Sequence, residues 1–300
     1  MGAMSVDSVL SVKSVLAHLS DLHLRDDNDL AAFERQLDRI ADRKPEHLVI
    51  TGDLLDRWDP KLLERALDAL GAHHLLDGSK LTLLHGNHDL ASSGGHPRRS
   101  ADVWRLAVRF WDPPPVVMKR RRRFYAAIES RAPGIAAASP FLKTLPSGVR
   151  IAVLDTVPVP WRPLAFARGA IIVRHAIGCA HETELSWLRA LTGTTPLVVL
   201  VHHYPIDGPE HRWVPDARLH RILREVRVPT AIPPDQRERF WAAASAARVR
   251  LVLCGHLHRC WLEWQDGIAV GLNGQSGADW AGRTIAYYDL ADEPLKQVCE

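Results

Sequence analysis

The sequence has few cysteines, no long apolar run and little excess charge. Its 300 residues include four cysteines, Cys179, Cys254, Cys260 and Cys299, which are too few and too dispersed for a disulfide scaffold. Residues 1–16 also lack the charged start and the long apolar block of a secretory signal, so we expect reduced thiols and a cytoplasmic protein. No window approaches about 18 consecutive apolar residues, which excludes a membrane-spanning helix. A net charge of +3 gives no strong indication of nucleic-acid binding.

The chain is rich in apolar residues and in histidine. Apolar residues make up 46% of the sequence and charged residues 24%, the balance of a globular protein rather than of a disordered one. A chain of this length buries about three quarters of its unfolded surface and does not need disulfides for stability. There are sixteen histidines, and their positions matter because imidazole binds metals and transfers protons near neutral pH.

Apolar strands alternate with amphipathic helices in the first third of the chain. The helix predicted at 60–70 begins after Asp59 as N-cap and ends at Gly71, and a second helix is predicted at 30–43. The polar residues that end the strands recur at intervals of 32 and 34 residues, close to the roughly 30 residues of a strand–helix–strand unit, which indicates a parallel sheet. The three strands are predicted at 14–20, 47–51 and 81–84.

The rest of the chain continues this pattern with two interruptions. Residues 91–149 are predicted to form an inserted lid with a helix at 101–111, three prolines and a basic run from Lys119 to Arg123. A second insertion at 205–248 contains two helical patterns separated by prolines. We expect one domain over 14–290, and we interpret residues 1–13 as an N-terminal extension or residual cloning sequence. Further elements are predicted as strands at 150–155, 197–201 and 251–253, a helix at 182–191, and hairpins from 261–264, 267–272 and 283–290.

Each of five apolar runs ends in aspartate, asparagine or histidine. Ligands of α/β sheets bind just beyond the carboxyl ends of the strands, so these side chains are expected to converge. Residues two apart in an extended chain point the same way, which would let Asp21 and His23 hold one ion together. Single D-x-H or H-x-H motifs mean little, whereas the whole ordered set is specific. The candidate metal ligands, enough for two ions that share a carboxylate, are Asp21, His23, Asp53, Asn87, His202, His256 and His258.

These segments resemble the motifs of the calcineurin-like metallophosphoesterases. The resemblance spans residues 19–258 apart from the two insertions, and it covers the motifs D-L-H at 21–23, G-D-L-L-D at 52–56, G-N-H-D at 86–89, H-H at 202–203 and G-H-L-H at 255–258. It implies an α/β fold of two packed sheets flanked by helices in four layers, with a dinuclear site at the sheet edge. It also implies that one ion takes Asp21, His23 and His258, that the other takes Asn87, His202 and His256, and that Asp53 bridges them.

The resemblance implies a phosphoester hydrolase. Two divalent ions about 3.5–4 Å apart would lower the pKa of a shared water, and the resulting hydroxide would attack phosphorus in line. His88 would protonate the leaving oxygen, and Asp56 would orient His88 by a hydrogen bond, as the family's second aspartate does. Arg57 either contacts phosphate or is an ordinary surface arginine. Mixed nitrogen and oxygen ligands accept manganese, iron, zinc or cobalt.

Several substrates are compatible with these motifs. The start of the first motif is similar to bacterial phosphodiesterases of small molecules, such as those for cyclic nucleotides and glycerophosphodiesters. The alternatives are a hydrolase of UDP-diacylglucosamine, a phosphomonoesterase, a DNA nuclease and a non-catalytic binding module. The run from Lys119 to Arg123 would attract anions and allow peripheral membrane contact, although such runs are usually solvated. Trp161 and Trp213 are candidates for stacking on a base, and His85 has no assigned role.

Overall fold

The computed structural model describes residues 14–91, 112–136, 138–157, 177–207, 232–274 and 284–300 in full, and only the backbone of four short strands between 164 and 228. Within these residues fifteen strands and five α-helices are defined. The strands are β1 (Val15–Leu19), β2 (His47–Ile50), β3 (Leu81–Leu83), β4 (Phe141–Thr144), β5 (Arg150–Val153), β6 (Leu164–Ala167), β7 (Ala170–Val173), β8 (Leu197–Leu200), β9 (His211–Trp213), β10 (Glu225–Val228), β11 (Val249–Cys254), β12 (Trp261–Gln265), β13 (Ile268–Leu272), β14 (Ala286–Asp289) and β15 (Gln297–Cys299). The helices are α1 (Asp27–Arg43), α2 (Pro60–Ala72), α3 (Pro114–Arg131), α4 (Glu182–Arg189) and α5 (Pro234–Ala246).

Two mixed sheets form the centre of the fold. The first has the order β15-β14-β1-β2-β3, and the second has the order β12-β13-β11-β8-β5-β4. The pairs β1–β2 and β2–β3 are parallel, which confirms the predicted parallel sheet. In the second sheet β5, β8, β11 and β13 are parallel neighbours, so their carboxyl ends lie at one edge.

The two sheets pack face to face through one apolar core. Leu16 and Val49 of the first sheet and Val198, Leu251 and Leu253 of the second are fully buried in it. Helices α1, α2 and α3 cover the outer face of the first sheet, and α4 and α5 cover that of the second. The predicted four layers, helix, sheet, sheet and helix, are therefore confirmed.

Helix α2 shows how local sequence sets an element and where the prediction fails. The Asp59 carboxylate accepts hydrogen bonds from the backbone N–H groups of Lys61 and Leu62, at 3.0 and 3.2 Å, as a predicted N-cap should. The predicted end at Gly71 is wrong, because the helix continues to Ala72. The N–H groups of His73 and His74 donate to the carbonyl oxygens of Ala69 and Gly71, at 3.2 and 3.0 Å, and the His73 ring nitrogen Nδ1 also lies 2.8 Å from the Ala69 oxygen.

Part of the first insertion belongs to the core. Helix α3 contains the basic run and buries Phe124 and Ile128 against the cluster that also holds α2. Arg131 of α3 forms ion pairs with Glu64 and Asp68 of α2, at 3.2 and 2.6 Å. The helix predicted at 101–111 lies outside the described residues, and the bounds of both insertions stay predictions.

The second insertion differs from its prediction. Where the first of two helical patterns is expected, the structure has the short strands β9 and β10, which join β6 and β7 in a third sheet of order β6-β7-β10-β9. The second pattern forms helix α5, and residues 214–224 between β9 and β10 lie outside the described residues. Strands of three or four residues are too short to show a period of two, and backbone pairing between distant segments decided this region. Of the helices that the structure describes, none is both long and apolar enough to cross a membrane.

The expectation of four reduced thiols is also wrong. Cys260 and Cys299, 39 residues apart, form a disulfide, while Cys179 and Cys254 are free thiols. The two sheets bring the bonded pair together, because Gln297 of β15 in the first sheet donates to the Leu272 carbonyl oxygen of β13 in the second at 3.1 Å. Such a contact between sheets leaves no trace in the cysteine spacing.

Candidate metal centre

The seven candidate ligands converge at the carboxyl edge of the two sheets. Asp21, Asp53 and Asn87 follow β1, β2 and β3 of the first sheet, and all three are buried. His202 follows β8 of the second sheet and is buried, and the residues after β11 contribute two partly exposed histidines. The structure therefore brings together every residue predicted to bind metal, from both sheets.

Left-handed backbone, rather than extended chain, aims several of these side chains. Asp21 and His23 have φ values of 52° and 45°, and Asp53, His256 and His258 have values of 51°, 74° and 53°. The predicted reason for the convergence of Asp21 and His23, an extended chain, is therefore wrong. Residues other than glycine in this region cost about 1–3 kcal/mol each, and five of the nine that the described residues contain are candidate ligands.

Glycines let the backbone pass close to the ligands. A Cβ atom on Gly86, which precedes Asn87, would lie 2.1 Å from Asp53 Oδ1. A Cβ atom on Gly255, which precedes His256, would lie 2.5 Å from Asp21 Oδ2. Both distances are far below van der Waals contact, so these two positions accept only glycine in this arrangement.

One group of donors surrounds Asp21. His23 Nε2 and His258 Nε2 are 3.1 Å apart, and they lie 3.8 and 3.4 Å from Asp21 Oδ1. Each of the three residues offers an atom within 4.8 Å of the others, which is the spacing that a single ion can bridge. These are the three residues expected to bind the first ion.

A second group surrounds His202. Its Nε2 atom lies 3.0 Å from Asn87 Oδ1 and 3.3 Å from His256 Nδ1. Asp53 lies between the groups, because its Oδ2 atom is 3.4 Å from His202 Nε2 and 3.8 Å from His23 Nε2. The arrangement matches two ligand sets that share one carboxylate.

Burial and the carboxylates together set the charges of the site. Burial lowers the pKa of His23 and of His256, so both rings are neutral. Burial alone would raise the pKa of Asp53, but His202 and His88 beside it hold that pKa well below its usual range. Burial alone would lower the pKa of His202, and the Asp53 carboxylate instead raises it to about 9. Ionised carboxylates among imidazoles, with nitrogens that face each other, are a donor set suited to divalent metal ions.

His88 and Asp56 are in contact, but not as expected. The His88 ring nitrogen Nδ1 lies 2.9 Å from the backbone carbonyl oxygen of Asp56, and the His88 N–H donates to Asp53 Oδ1 at 2.8 Å. The Asp56 carboxylate instead lies 3.6 Å from His23 Nδ1. Asp56 therefore positions His88 through its main chain, while its side chain faces a candidate metal ligand. Arg57 is exposed on the same loop, and its predicted phosphate contact stays a prediction.

Asp89 and His203 are two residues to which the sequence analysis gave no role. The buried Asp89 carboxylate accepts hydrogen bonds from the N–H groups of Gly86 and Leu55, both at 2.8 Å, and so joins the two loops that carry Asn87 and Asp53. His203 forms a further group of possible metal donors with His202 and His256. Asp89 lies within the G-N-H-D motif, which was the available signal for it.

Both tryptophans predicted to stack on a base have side chains outside the described residues. Trp161 lies outside the described residues, and Trp213 lies in β9, whose side chains are not described. The basic run is partly used inside the protein, because Arg120 pairs with Asp112 at 2.8 Å and Arg121 pairs with Asp155 at 2.9 Å. Fewer of its charges are thus free for an anionic partner than the sequence suggests.

Comparison with known proteins identifies relatives of this fold. The sequence model of the calcineurin-like phosphoesterases matches residues 14–260. A dimetal phosphatase from Danio rerio shares 13% identity over 92% of each chain, at a TM-score of 0.58. The protein TT1561 of Thermus thermophilus shares 13% identity over 95% of this chain and 98% of its own, at a TM-score of 0.52. At such identity the two structures show the fold alone, and no curated protein matches the chain in sequence.

Proposed function

The chain belongs to the calcineurin-like phosphoesterase family and is a phosphoester hydrolase, and on that premise we propose that it binds two divalent metal ions and hydrolyses small phosphodiesters. The observation that carries the proposal is the convergence of seven nitrogen and oxygen donors from both sheets around Asp53. A phosphate ester carries negative charge, which metal ions at this edge would neutralise.

The proposed ligand sets follow the two groups of donors. Asp21, His23 and His258 would hold one ion, and Asn87, His202 and His256 would hold the other. Asp53 would contact both, since it lies between the groups. When bound, such ions polarise phosphoryl oxygens and make a nucleophile available at neutral pH. The Danio rerio relative is by name a dimetal phosphatase, which agrees with two ions.

We assign proton transfer to His88. Its Nδ1 atom lies 2.9 Å from the Asp56 carbonyl oxygen, which can only accept, so Nδ1 keeps its proton. Nε2 is therefore the atom that would protonate the leaving oxygen. Burial alone would lower the pKa of His88, but the Asp53 and Asp56 carboxylates raise it above its usual value, which favours the acid form that this role needs. Arg57 is the candidate for contact with phosphate.

A small phosphodiester is the favoured substrate because the first motif is similar to bacterial phosphodiesterases. Manganese, iron, zinc and cobalt all suit the donor set. Hydrolysis of UDP-diacylglucosamine and binding to a membrane surface would both use the basic run. Arg120 and Arg121, however, are engaged with Asp112 and Asp155. The alternative substrate is a phosphomonoester, and direct comparison of a diester with a monoester distinguishes the two.

The test compares two aryl phosphates on the protein loaded with Mn²⁺. We expect kcat/KM to be higher for bis(p-nitrophenyl) phosphate than for p-nitrophenyl phosphate, and two ions to be bound per chain. His73→Gln serves as control, since His73 lies at the end of α2 and its Nε2 atom pairs with the exposed Asp38. Higher kcat/KM for the monoester would replace the diesterase with a phosphatase, and failure to bind Mn²⁺ or Zn²⁺ would contradict the proposal as a whole.

A further inference from the structure

The spacing between the two sheets sets the spacing of the proposed metal ligands. Asn87 comes from the first sheet and His202 from the second, and their side chains meet where Asn87 Oδ1 lies 3.0 Å from His202 Nε2. Metal–ligand distances tolerate deviations of about 0.2 Å. The edge therefore needs groups that hold the two sheets at a fixed separation.

Asp155 is placed to make that connection. It lies just beyond β5, the strand that pairs with β8 in the second sheet. Its carboxylate forms an ion pair with Arg121 Nη1 at 2.9 Å and accepts a hydrogen bond from the Val157 N–H at 2.8 Å. Its Oδ1 atom also lies 3.4 Å from Nε2 of His85, which follows β3 in the first sheet two residues before Asn87. The pair of Asp155 and His85 thus joins the second sheet to the turn that carries Asn87.

Helix α3 contacts the turn that carries Asn87 both before and after that residue. The other ring nitrogen of His85, Nδ1, lies 2.7 Å from the Tyr125 hydroxyl of α3. Arg120 of α3 donates to the Leu90 carbonyl oxygen at 2.8 Å, just after the turn. His85, which the sequence analysis left without a role, is therefore the point where the first sheet, the second sheet and α3 meet.

Thr156 makes the matching contact with the loop that carries His202. The buried Thr156 hydroxyl oxygen accepts a hydrogen bond from the His203 N–H at 3.0 Å and lies 3.0 Å from His203 Nδ1. Because His203 directly follows His202, a shift of Thr156 would move the backbone of that proposed ligand. Two consecutive residues thus contact the ligand-bearing segments of both sheets.

Burial strengthens the electrostatic contact of Asp155 with His85 and the hydrogen bond of Thr156 with His203. His85 and Asp155 expose only 1% and 8% of their surface, and Thr156 exposes 2%. Apolar side chains could fill the same space, but buried polar contacts of this kind make one arrangement of the packed segments more rigid. We infer that Asp155 and Thr156 are positioning residues that hold the turn of Asn87 and the loop of His202 at the separation required by the second metal ion. This inference rests on the ligand sets proposed above.

Three variants separate the contacts. Asp155→Asn keeps the shape of the side chain but removes the charge that faces His85. Thr156→Val removes the hydroxyl group, and Thr156→Ser restores it. Partners of metal ligands typically contribute 10–100-fold to metal affinity. We expect the dissociation constant of one of the two Mn²⁺ ions to rise by about 10–100-fold in Asp155→Asn and Thr156→Val, that of the other ion to change little, and Thr156→Ser to resemble the wild type.

The matched control is at the opposite end of the same strand. Arg150 begins β5, is buried, and donates to the carbonyl oxygens of Thr192 and Thr195 at 2.7 and 3.0 Å. Arg150→Met removes buried hydrogen bonds far from the candidate ligands, so it should lower the thermal midpoint without changing either Mn²⁺ affinity. The measurements are thermal unfolding without metal and calorimetric titration with Mn²⁺ on all five proteins.

The outcomes distinguish this inference from the proposed function. Selective weakening of one ion in Asp155→Asn and Thr156→Val, with recovery in Thr156→Ser, supports the positioning role. If these variants lose stability as Arg150→Met does but bind both ions with wild-type affinity, the inference is wrong and the proposed function stands. If the wild-type protein itself binds no ion, the proposed function is wrong and the inference is overturned with it.

Discussion

The two ends of strand β2 hold buried polar side chains with different partners. At its start, His47 has Nδ1 2.9 Å from the Ser79 carbonyl oxygen and Nε2 2.8 Å from the Thr82 hydroxyl. Beyond its end, Asp53 lies beside His202, whose Nε2 atom faces the His256 nitrogen Nδ1 at 3.3 Å. Each nitrogen of His47 has one oxygen partner, whereas His202 Nε2 faces the Asn87 amide oxygen, the Asp53 carboxylate and the His256 nitrogen at once.

This difference distinguishes a structural histidine from a candidate ligand. A neutral imidazole has one donor and one acceptor nitrogen, and a carbonyl with a hydroxyl satisfies both. Two facing nitrogens can share only one proton, whereas a metal ion satisfies each of them at once. Burial alone, which both ends have in common, is therefore not the distinguishing property.

Removing the charge of Asp53 should have the largest effect. Asp53→Asn keeps the size of the side chain but removes the carboxylate that lies between the two donor groups. We expect fewer than two Mn²⁺ ions per chain by metal analysis and phosphodiesterase activity below detection. Asp38→Asn, at an exposed position of α1, is the control and should retain both. Full activity in Asp53→Asn would show that the shared carboxylate is dispensable.

Removing the His88 ring should lower turnover while both ions remain bound. His88 touches Asp53 through its backbone, which His88→Ala preserves. We expect kcat to fall by about 10²–10⁴-fold, the usual contribution of a positioned acid. Metal analysis and steady-state kinetics on the aryl diester check this. Loss of an ion in His88→Ala would instead make His88 a ligand.

Truncating a side chain in the apolar core should lower the free energy of unfolding and leave the chemistry of the site unaltered. Leu251 of β11 is fully buried between the sheets. Leu251→Ala should lower the free energy of unfolding by about 2–5 kcal/mol, through lost burial and a residual cavity. Urea denaturation measures this loss, and kcat of the folded variant should equal that of the wild type. A proportional fall in kcat would mean that core packing and ligand geometry are not separable.

The smallest expected effect is on the pH dependence of stability through His47. Burial, followed by the charge of Lys143, lowers the His47 pKa to about 3 in the folded protein, against 6.5 when unfolded. The unfolded chain therefore binds more protons between pH 6.5 and pH 3, so stability is lost as pH falls through that window. At pH 5 the loss is about 2 kcal/mol relative to pH 7.

His47→Gln tests this, because glutamine does not titrate. The difference in unfolding free energy between pH 7 and pH 5 should be about 2 kcal/mol smaller than in the wild type. Leu251→Ala, which changes no titratable group, should leave that difference unchanged. An unaltered pH dependence in His47→Gln would show that His47 is not neutral in the folded state.

Much of the fold could be predicted from local pattern. Strand and helix alternation in the first third, the N-cap at Asp59 and the polar residue after each strand all follow from periodicity and capping, which act over a few residues. The third sheet could not be predicted in this way, because its strands β6, β7, β9 and β10 have three or four residues each and the pairing of β7 with β10 joins residues 55 positions apart, as in Ala170 and Glu225.

Residue types at strand ends were sufficient to predict the candidate ligands. They did not predict the backbone conformations and hydrogen bonds that place these side chains at the site. Asp21 and His23 converge through left-handed backbone instead of an extended chain. Asp56 reaches His88 through its carbonyl oxygen, and its carboxylate faces His23. These details depend on the loops that follow β1 and β2 running side by side, as the 3.0 Å hydrogen bond from the His23 N–H to the Asp53 carbonyl oxygen shows.

The sequence by itself determined the alternation of elements, the polar residue at each strand end and hence the family. Tertiary structure alone decided which nitrogens face each other, which cysteines are bonded and what His85 contacts. The physical reason is the distance along the chain over which each kind of interaction acts. Periodicity and capping are set by neighbours within a few residues, whereas the contacts of His85 with Tyr125 and Asp155 exist only because two sheets and a helix pack against one another.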